Sequence, residues 1–188
     1  MPHYAITVVT PPASEPISSA EAKLNAKMQT TDEDSLVPRW IAAARSKVEQ
    51  ETSVRFLSQT LDIAFDAFAD PWLTLPVWPI TTLTSVSYYD TAGGLQVVDP
   101  ANYLLDKASR PPRIGLTTAG VWPTDGRLFQ PGVFRVVAGY ATVADIPADL
   151  LMAVHLVFGW FAQHREPTAF EREAYDAFIG PYVPVSVM

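Results

Sequence analysis

The most apolar stretch of the chain runs from Leu150 to Ala162 and contains no formally charged residue. Its large side chains recur every three or four positions, which predicts an α-helix with one wide apolar face. Pro147 suits the first turn of this helix, Asp145 is expected to cap it, and Pro167 prevents its continuation. A second apolar strip follows another side of the helix and consists of Met152, Leu156 and Trp160.

A helix that is apolar on nearly every side packs inside a core or between a core and a partner. The stretch is too short to cross a membrane, which takes about 20 apolar residues. It is therefore predicted to be the central helix of the fold.

Two helices are predicted earlier in the chain. Ser18 and Glu21 have the spacing of a capping box, so the first helix is expected from Ser18 to about Met28. The second is expected from about residue 34 to residue 52, with Pro38 tolerated only in its first turn, so that it begins at Ser35 or later. Before both helices, the run 4–9 predicts a strand-like arm, and the prolines after it predict an extended leader.

From residue 54 the pattern changes from helical to alternating. Leu61, Ile63 and Phe65 alternate with polar or small residues, as in a strand with one buried face. The glycines of segment 90–94 suit a hairpin turn. Together these patterns predict strands at about 61–65, 72–75, 83–90, 95–98, 103–105, 114–116 and 134–137.

A last helix is predicted from about residue 168 to Ile179, followed by an extended tail over 180–188. Helices at about 18–52 and 146–179 thus flank strands at about 54–140, and this segregated order predicts an α+β fold. The expected architecture is an α-helical core of about four helices, with a β-rich insertion of antiparallel strands between helices two and three. At 188 residues, one connected domain spanning 1–188 is expected.

The composition excludes several classes of function. A net charge of −7 disfavours a surface that binds nucleic-acid phosphates broadly. The absence of cysteine excludes disulfides, thiolate metal sites and cysteine nucleophiles. The first residues lack the pattern of a secretory signal, so synthesis in the cytoplasm is expected.

The candidate catalytic groups form no recognisable set. His155 is interpreted as a core histidine, and His164 as a complement to the helix dipole at the C-terminal end of the central helix. No nucleophile elbow or phosphate loop is found, and Asp62 and Asp66 are ordinary solvated carboxylates of a strand. No enzyme activity, metal or cofactor is therefore predicted.

Large apolar residues next to prolines indicate a surface for a partner. They include Trp78 and Trp122, whereas Trp72 is expected to fold back over the sheet.

Arg110 and Arg113, with Lys107, form the one local basic cluster of the sequence, suited to an acidic neighbouring subunit or to solvent. The tail alternates valines with proline and serine, so it is predicted to add to a neighbouring sheet, to fill a groove of a partner, or to pack on its own subunit. Its candidate residues are Pro181, Tyr182, Val183, Pro184, Val185 and Val187; the candidate subunit interface is Met152, Leu156, Trp160, Trp122, Arg110 and Arg113.

A series of short features spans most of the chain: 16–23 (PISSAEAK), 32–34 (DED), 41–45 (IAAAR), 59–60 (QT), 75–76 (LP), 86–90 (VSYYD), 93–94 (GG), 122–123 (WP), 137–140 (VAGY), 146–147 (IP) and 164–166 (HRE). In this order and spacing they resemble the head–tail connector, or adaptor, proteins of tailed bacteriophages and of gene transfer agents.

The resemblance implies a structural virion protein that forms a ring, usually dodecameric, beneath the portal at the capsid vertex. Such a ring joins the portal to stopper, neck or tail proteins and continues the channel through which DNA leaves, without sequence-specific binding and without a membrane. It implies a location in the virion neck after synthesis in the host cytoplasm.

Two alternatives remain open at this point. One is a tail-completion or stopper ring further from the portal. The other is a small ligand-binding or hydrolytic domain whose polar groups would be His155, His164 and Glu166, clustered in one pocket.

Overall fold

The computed structural model describes residues 4–68, 72–129, 131–164 and 172–184. Over these residues the chain is α+β, as predicted, with four α-helices and antiparallel sheets. It forms two compact units. The α unit comprises Ala13–Leu57 and Tyr140–Met188, and the β unit comprises Met1–Pro12 and Ser58–Gly139.

The α unit contains α1 (Ser19–Asn25), α2 (Val37–Thr52), α3 (Ala148–Gln163) and α4 (Arg172–Ile179). The predicted capping box of α1 is present: the Ser18 hydroxyl accepts from the Glu21 N–H at 3.1 Å, and the Glu21 carboxylate accepts from the Ser18 N–H. The first helix ends earlier than predicted, and Lys27 adopts a positive φ of 56° just beyond it. Part of the predicted span of the last helix, 168–171, lies outside the described residues.

The start of α2 agrees with the sequence prediction, whereas that of α3 differs from it. α2 begins at Val37, within the predicted range of Ser35 or later, because 33–36 form a hydrogen-bonded turn and Pro38 then occupies the first helical turn. Asp145 does not cap α3. Its carboxylate accepts from the backbone N–H and the hydroxyl of Thr142, which closes a 3₁₀ turn over Val143–Asp145, and Pro147 is left at the start of α3.

The prediction that α3 is the central helix is confirmed within the α unit, since α3 contacts α1, α2 and α4. Its wide apolar face is buried, with Leu150, Val154 and Phe158 inaccessible to solvent. Opposite them, the helical period of α2 buries Ile41 and Val48. Burial of each such side chain stabilises the unit by about 1.5–3 kcal/mol.

A buried carboxylate joins α2 to the segment that follows it. Glu49 is 6% exposed, and its Oε1 accepts from the Phe56 N–H at 3.0 Å. Its Oε2 accepts from Arg45 Nη1 at 3.0 Å and lies 3.6 Å from Arg55 Nη1. Arg45 also donates to Glu15 at 2.7 Å, in the leader before α1. Burial lowers the pKa of Arg55, and the charge of Glu49 offsets part of this effect.

The β unit contains β1 (Tyr4–Thr10), β2 (Gln59–Phe65), β3 (Trp72–Thr74), β4 (Ile80–Tyr89), β5 (Leu95–Val97), β6 (Tyr103–Asp106), β7 (Arg113–Leu116) and β8 (Gly132–Ala138). These strands form a five-stranded sheet in the order β1-β2-β8-β4-β5 and a three-stranded sheet in the order β3-β7-β6. Every pairing is antiparallel. The N-terminal arm is thus an edge strand, paired with β2.

One face of the five-stranded sheet, called here the inner face, carries Leu61, Ile63 and Phe65 of β2 with Phe134 and Val136 of β8. These side chains form one buried cluster with Leu73 and Ile114 of the smaller sheet and with their neighbours. The opposite, outer face carries the polar residues of the alternation. Asp62 is not merely solvated there, because its carboxylate accepts two hydrogen bonds from Arg135 of β8, at 2.8 and 2.7 Å.

The inner face contains one position where a side chain has no room. The rings of Phe65 and Phe134 stack with their centroids 4.1 Å apart, and Phe65 covers Gly132 on the neighbouring strand. A Cβ at Gly132 would lie 1.9 Å from Phe65 Cζ. The ring cannot retreat, because Phe68 packs edge-on against it at 4.8 Å.

Gly132→Ala is therefore expected to destabilise the β unit by roughly 1–3 kcal/mol, the usual cost of overpacking a core. Gly159→Ala is the matched control, because a Cβ at Gly159 in α3 meets nothing within 4 Å. That control should be neutral or stabilising by up to ~1 kcal/mol through helix propensity. Urea denaturation followed by circular dichroism measures both, and an unchanged midpoint for the first variant would contradict the packing described.

Candidate assembly surfaces

The second apolar strip of α3 lies at the surface of the α unit. Met152 is 41% exposed, and Leu156 and Trp160 are partly exposed, whereas the opposite face of the helix is buried. Trp160 also packs against Phe161, with ring centroids 5.3 Å apart. An exposed apolar strip of this kind can be covered by another protein chain.

The two central histidines lie at separate places in the α unit. His155 is buried, as predicted, and its Nε2 lies 3.8 Å from a Glu21 carboxylate oxygen. His164 follows the last turn of α3, also as predicted, where it stacks on Trp160 with its Nδ1 3.2 Å from the Trp160 carbonyl oxygen. Nine residues of helix separate them by about 13 Å.

The alternative of a ligand-binding or hydrolytic pocket required these histidines to cluster with Glu166, which lies outside the described residues. Their separation removes the basis of that alternative. Over residues 4–68, 72–129, 131–164 and 172–184, no three potential metal-ligating side chains come together. No helix in this part of the chain is long and apolar enough to cross a membrane.

The start of the tail differs from the extended chain predicted for 180–188. Gly180–Tyr182 form a 3₁₀ turn, which accepts Pro181 near its start, and the Val183 N–H donates to the Ile179 carbonyl at 3.1 Å. Val183 is extended and 41% exposed, and Pro184 is exposed. Val185 and Val187 lie outside the described residues.

The helix that leads into the tail is held on α2 by a charged cluster. Arg172 lies 3.4 Å from a carboxylate oxygen of Glu51, which also pairs with Lys47. Burial raises the pKa of Glu51, but the hydrogen bond and charge of Lys47 outweigh burial and lower it overall. Tyr175 is fully buried, and burial together with Glu51 raises its pKa. The tail therefore leaves the α unit from a fixed point, beside a shallow cavity of about 420 Å³.

The remaining predicted interface residues lie in the β unit and have partners there. The Arg110 guanidinium lies over the Trp78 ring, 4.1 Å from its centroid, and Arg113 donates to Asp106 at 2.7 Å. The Ser109 hydroxyl and then Arg113 hold the pKa of Asp106 well below its usual range. Trp122 is partly buried, 5.0 Å from the Phe68 ring.

Two expectations about tryptophans are corrected by the structure. Trp72 does not fold back over the sheet but is 58% exposed, because its position in β3 turns it to the outer side of the smaller sheet. Trp78, expected at a partner surface, is 6% exposed. Trp72 and Leu104 flank Gly115 across the sheet and border a shallow cavity of about 460 Å³.

Sequence reasoning missed the exposed side chains at the edges of the five-stranded sheet. Ile6 and Val8 of β1 are 39% and 52% exposed, and Leu95 and Val97 of β5 are 57% and 67% exposed. Both stretches read as ordinary strands, and only the strand order shows that they are the two edges. The one available signal was that neither strand contains a charged residue, whereas exposed edges usually carry one.

The sequence matches no protein-family model and no curated protein at a significant level. Solved structures, in contrast, match nearly the whole chain. A chain of the neck of an empty gene transfer agent particle, computed with C6 symmetry, superposes with a TM-score of 0.80 at 26% identity, covering 98% of this chain and 97% of that one.

Two further matches share the fold at 22% identity. One is a chain in the virion of a native gene transfer agent particle, with a TM-score of 0.76, covering 97% of each chain. The other is from the neck of a native particle computed with C12 symmetry, with a TM-score of 0.73, covering 98% of this chain and 97% of that one. The resemblance to the head–tail connector proteins of phages and gene transfer agents is thereby confirmed, and the chain is a structural protein of the virion-neck type rather than an enzyme.

Proposed function

We propose that this protein is a head–tail adaptor, in which identical copies form a ring, most simply a dodecamer, on the portal of a phage or gene transfer agent. The whole chain, 1–188, would act as a single connector domain in the virion neck after synthesis in the host cytoplasm. The observation that carries the proposal is the match, over 98% of the chain, to a protein in a particle neck whose structure was computed with C6 symmetry. The structure of a second matching neck was computed with C12 symmetry.

The surface chemistry supports a role in assembly. A cyclic ring needs two different contact surfaces on each subunit, and the strip of α3 and the exposed strands of the β unit provide candidates. The same ring would bind stopper, neck or tail proteins on its far side. An acidic protein repeated around a channel repels DNA, so DNA would pass without sequence-specific binding.

The proposal is tested by mixing the purified protein with the portal protein encoded in the same genome and imaging the product by electron microscopy. Rings capping the portal are expected. Failure to bind portal at any concentration would contradict the adaptor role. Crosslinking could instead identify a neck protein as the direct partner and show no contact with the portal. In that case the stopper or tail-completion alternative would replace the adaptor role.

The strip on α3 generates a mutational prediction. Met152→Glu places a charge that water can solvate in the free subunit, so the unfolding free energy should change by less than about 0.5 kcal/mol. In a ring that covers the strip, the charge would be buried without a partner. The number of rings formed on the portal should therefore fall at least tenfold. Ala43→Glu, which adds the same charge to an exposed position of α2, should assemble normally. Equal assembly of both variants would remove this strip from the interface.

The tail generates a second mutational prediction. Deletion of 184–188 should leave α4 folded, because the hydrogen bond from the Val183 N–H to Ile179 is retained. Portal binding should be lost or strongly reduced in a pull-down assay. A full-length control, Val185→Ser with Val187→Ser, separates the effect of the apolar edge from that of tail length. Loss of the folded state on deletion would place the tail in the core of its own subunit.

A further inference from the structure

The five-stranded sheet of the β unit has two open edges, formed by β1 and β5. Proteins usually protect an exposed strand with charge, proline or a covering element. β1 reads YAITVVT and β5 reads LQV, so neither contains a charged residue or a proline. Two unprotected edges on one sheet indicate surfaces that another chain covers.

At the β1 edge the exposed apolar side chains lie on the inner face. Ile6 is paired with Ile63, and Val8 with Leu61, both fully buried residues of the inner-face row. The Tyr4 hydroxyl donates to the Thr74 carbonyl, so the smaller sheet covers the beginning of β1. Farther along the strand, Ile6 and Val8 continue the apolar row and are 39% and 52% exposed.

At the β5 edge the exposed apolar side chains lie on the opposite face. Leu95 is paired with Tyr89 and Val97 with Ser87. Along β4, Ser87 alternates with Val86, which is paired with Phe134 on the inner face. Leu95 and Val97 are therefore outer-face residues.

The exposed apolar surface thus lies on the inner face at the β1 edge and on the outer face at the β5 edge. Neighbouring copies can therefore overlap with these two surfaces in contact. We infer that the outer face at β5 of one subunit packs beneath the inner face at β1 of the next copy of this chain. The inference rests on the proposed ring. Such a contact joins two different surfaces and can repeat around an axis, whereas a two-fold contact would join like patches.

The charge of the chain supports a second copy as the occupant. Each subunit carries −7, so two copies repel each other over most of their surfaces. Strands β1 and β5 themselves contain no charged residue, so they can approach at a lower electrostatic cost than the rest of the surface. Burial of their valines, isoleucine and leucine would then stabilise the contact.

The test uses the absence of cysteine in the natural chain, so that introduced thiols are unique. Val8→Cys and Val97→Cys are combined in one chain, rings are assembled on the portal, and a short bismaleimide is added. Denaturing gels should show a ladder of covalent oligomers. Each single variant should remain monomeric, since neither position meets its own copy in a head-to-tail contact. Thr7→Cys with Val97→Cys is the matched control, because Thr7 lies on the other face of β1, opposite Asp62.

Each outcome has a distinct meaning. Rings without a ladder would overturn this contact and leave the proposed function standing. A stronger ladder from the Thr7 control would show that the two edges pair into one continuous sheet, which also overturns the overlap. Dimers from Val8→Cys alone would reveal a two-fold contact and exclude the inference. A ladder formed by the free protein, with no ring on the portal, would support the contact and contradict the adaptor role.

Discussion

The arrangement of the α unit depends on one buried carboxylate. Glu49 accepts hydrogen bonds from Arg45 and from the Phe56 N–H and also faces Arg55, while Arg45 reaches Glu15 in the leader. These contacts hold the residues next to the points where the chain enters and leaves the α unit. Phe56 in turn accepts a hydrogen bond from the Tyr140 N–H, where the chain returns. Loss of the carboxylate would remove the acceptor of the Phe56 N–H and the charge that faces Arg55, while Arg45 would keep Glu15. Breaking a buried ion pair in this way typically costs 3–5 kcal/mol.

Because these contacts fix the segments where the chain enters and leaves the α unit, α3 is held with one face buried and one strip exposed. The β unit uses a different solution, in which a smaller sheet covers part of the inner face of a larger one and the edges of the larger sheet remain uncovered. Uncovered aliphatic edges are an aggregation hazard in a monomeric protein. In a protein that works as a ring, the same edges are available for contacts between subunits.

Most elements could be predicted because their signals are local. The Ser18–Glu21 capping box, the apolar period of α3 and the alternation of β2 each depend on residues close in sequence, and the structure confirms each of them. The predictions failed where two local solutions competed. Asp145 had the position of a helix cap, but its carboxylate accepts hydrogen bonds from Thr142 and closes a 3₁₀ turn instead. Proline-flanked tryptophans were equally ambiguous, since Trp78 is buried and Trp72 is exposed with similar neighbours.

By itself, the sequence determined the α+β class and the identity of the central helix, because periodicity and capping are properties of short segments. Its likeness to connector proteins was also visible in the order of short motifs, although no family model matches. Only the tertiary structure decided which strands form the sheet edges and which faces Ile6, Val8, Leu95 and Val97 occupy. The physical reason is that strand order and covering layers arise from pairings between distant residues, so the exposure of an apolar side chain depends on neighbours that its own segment does not specify.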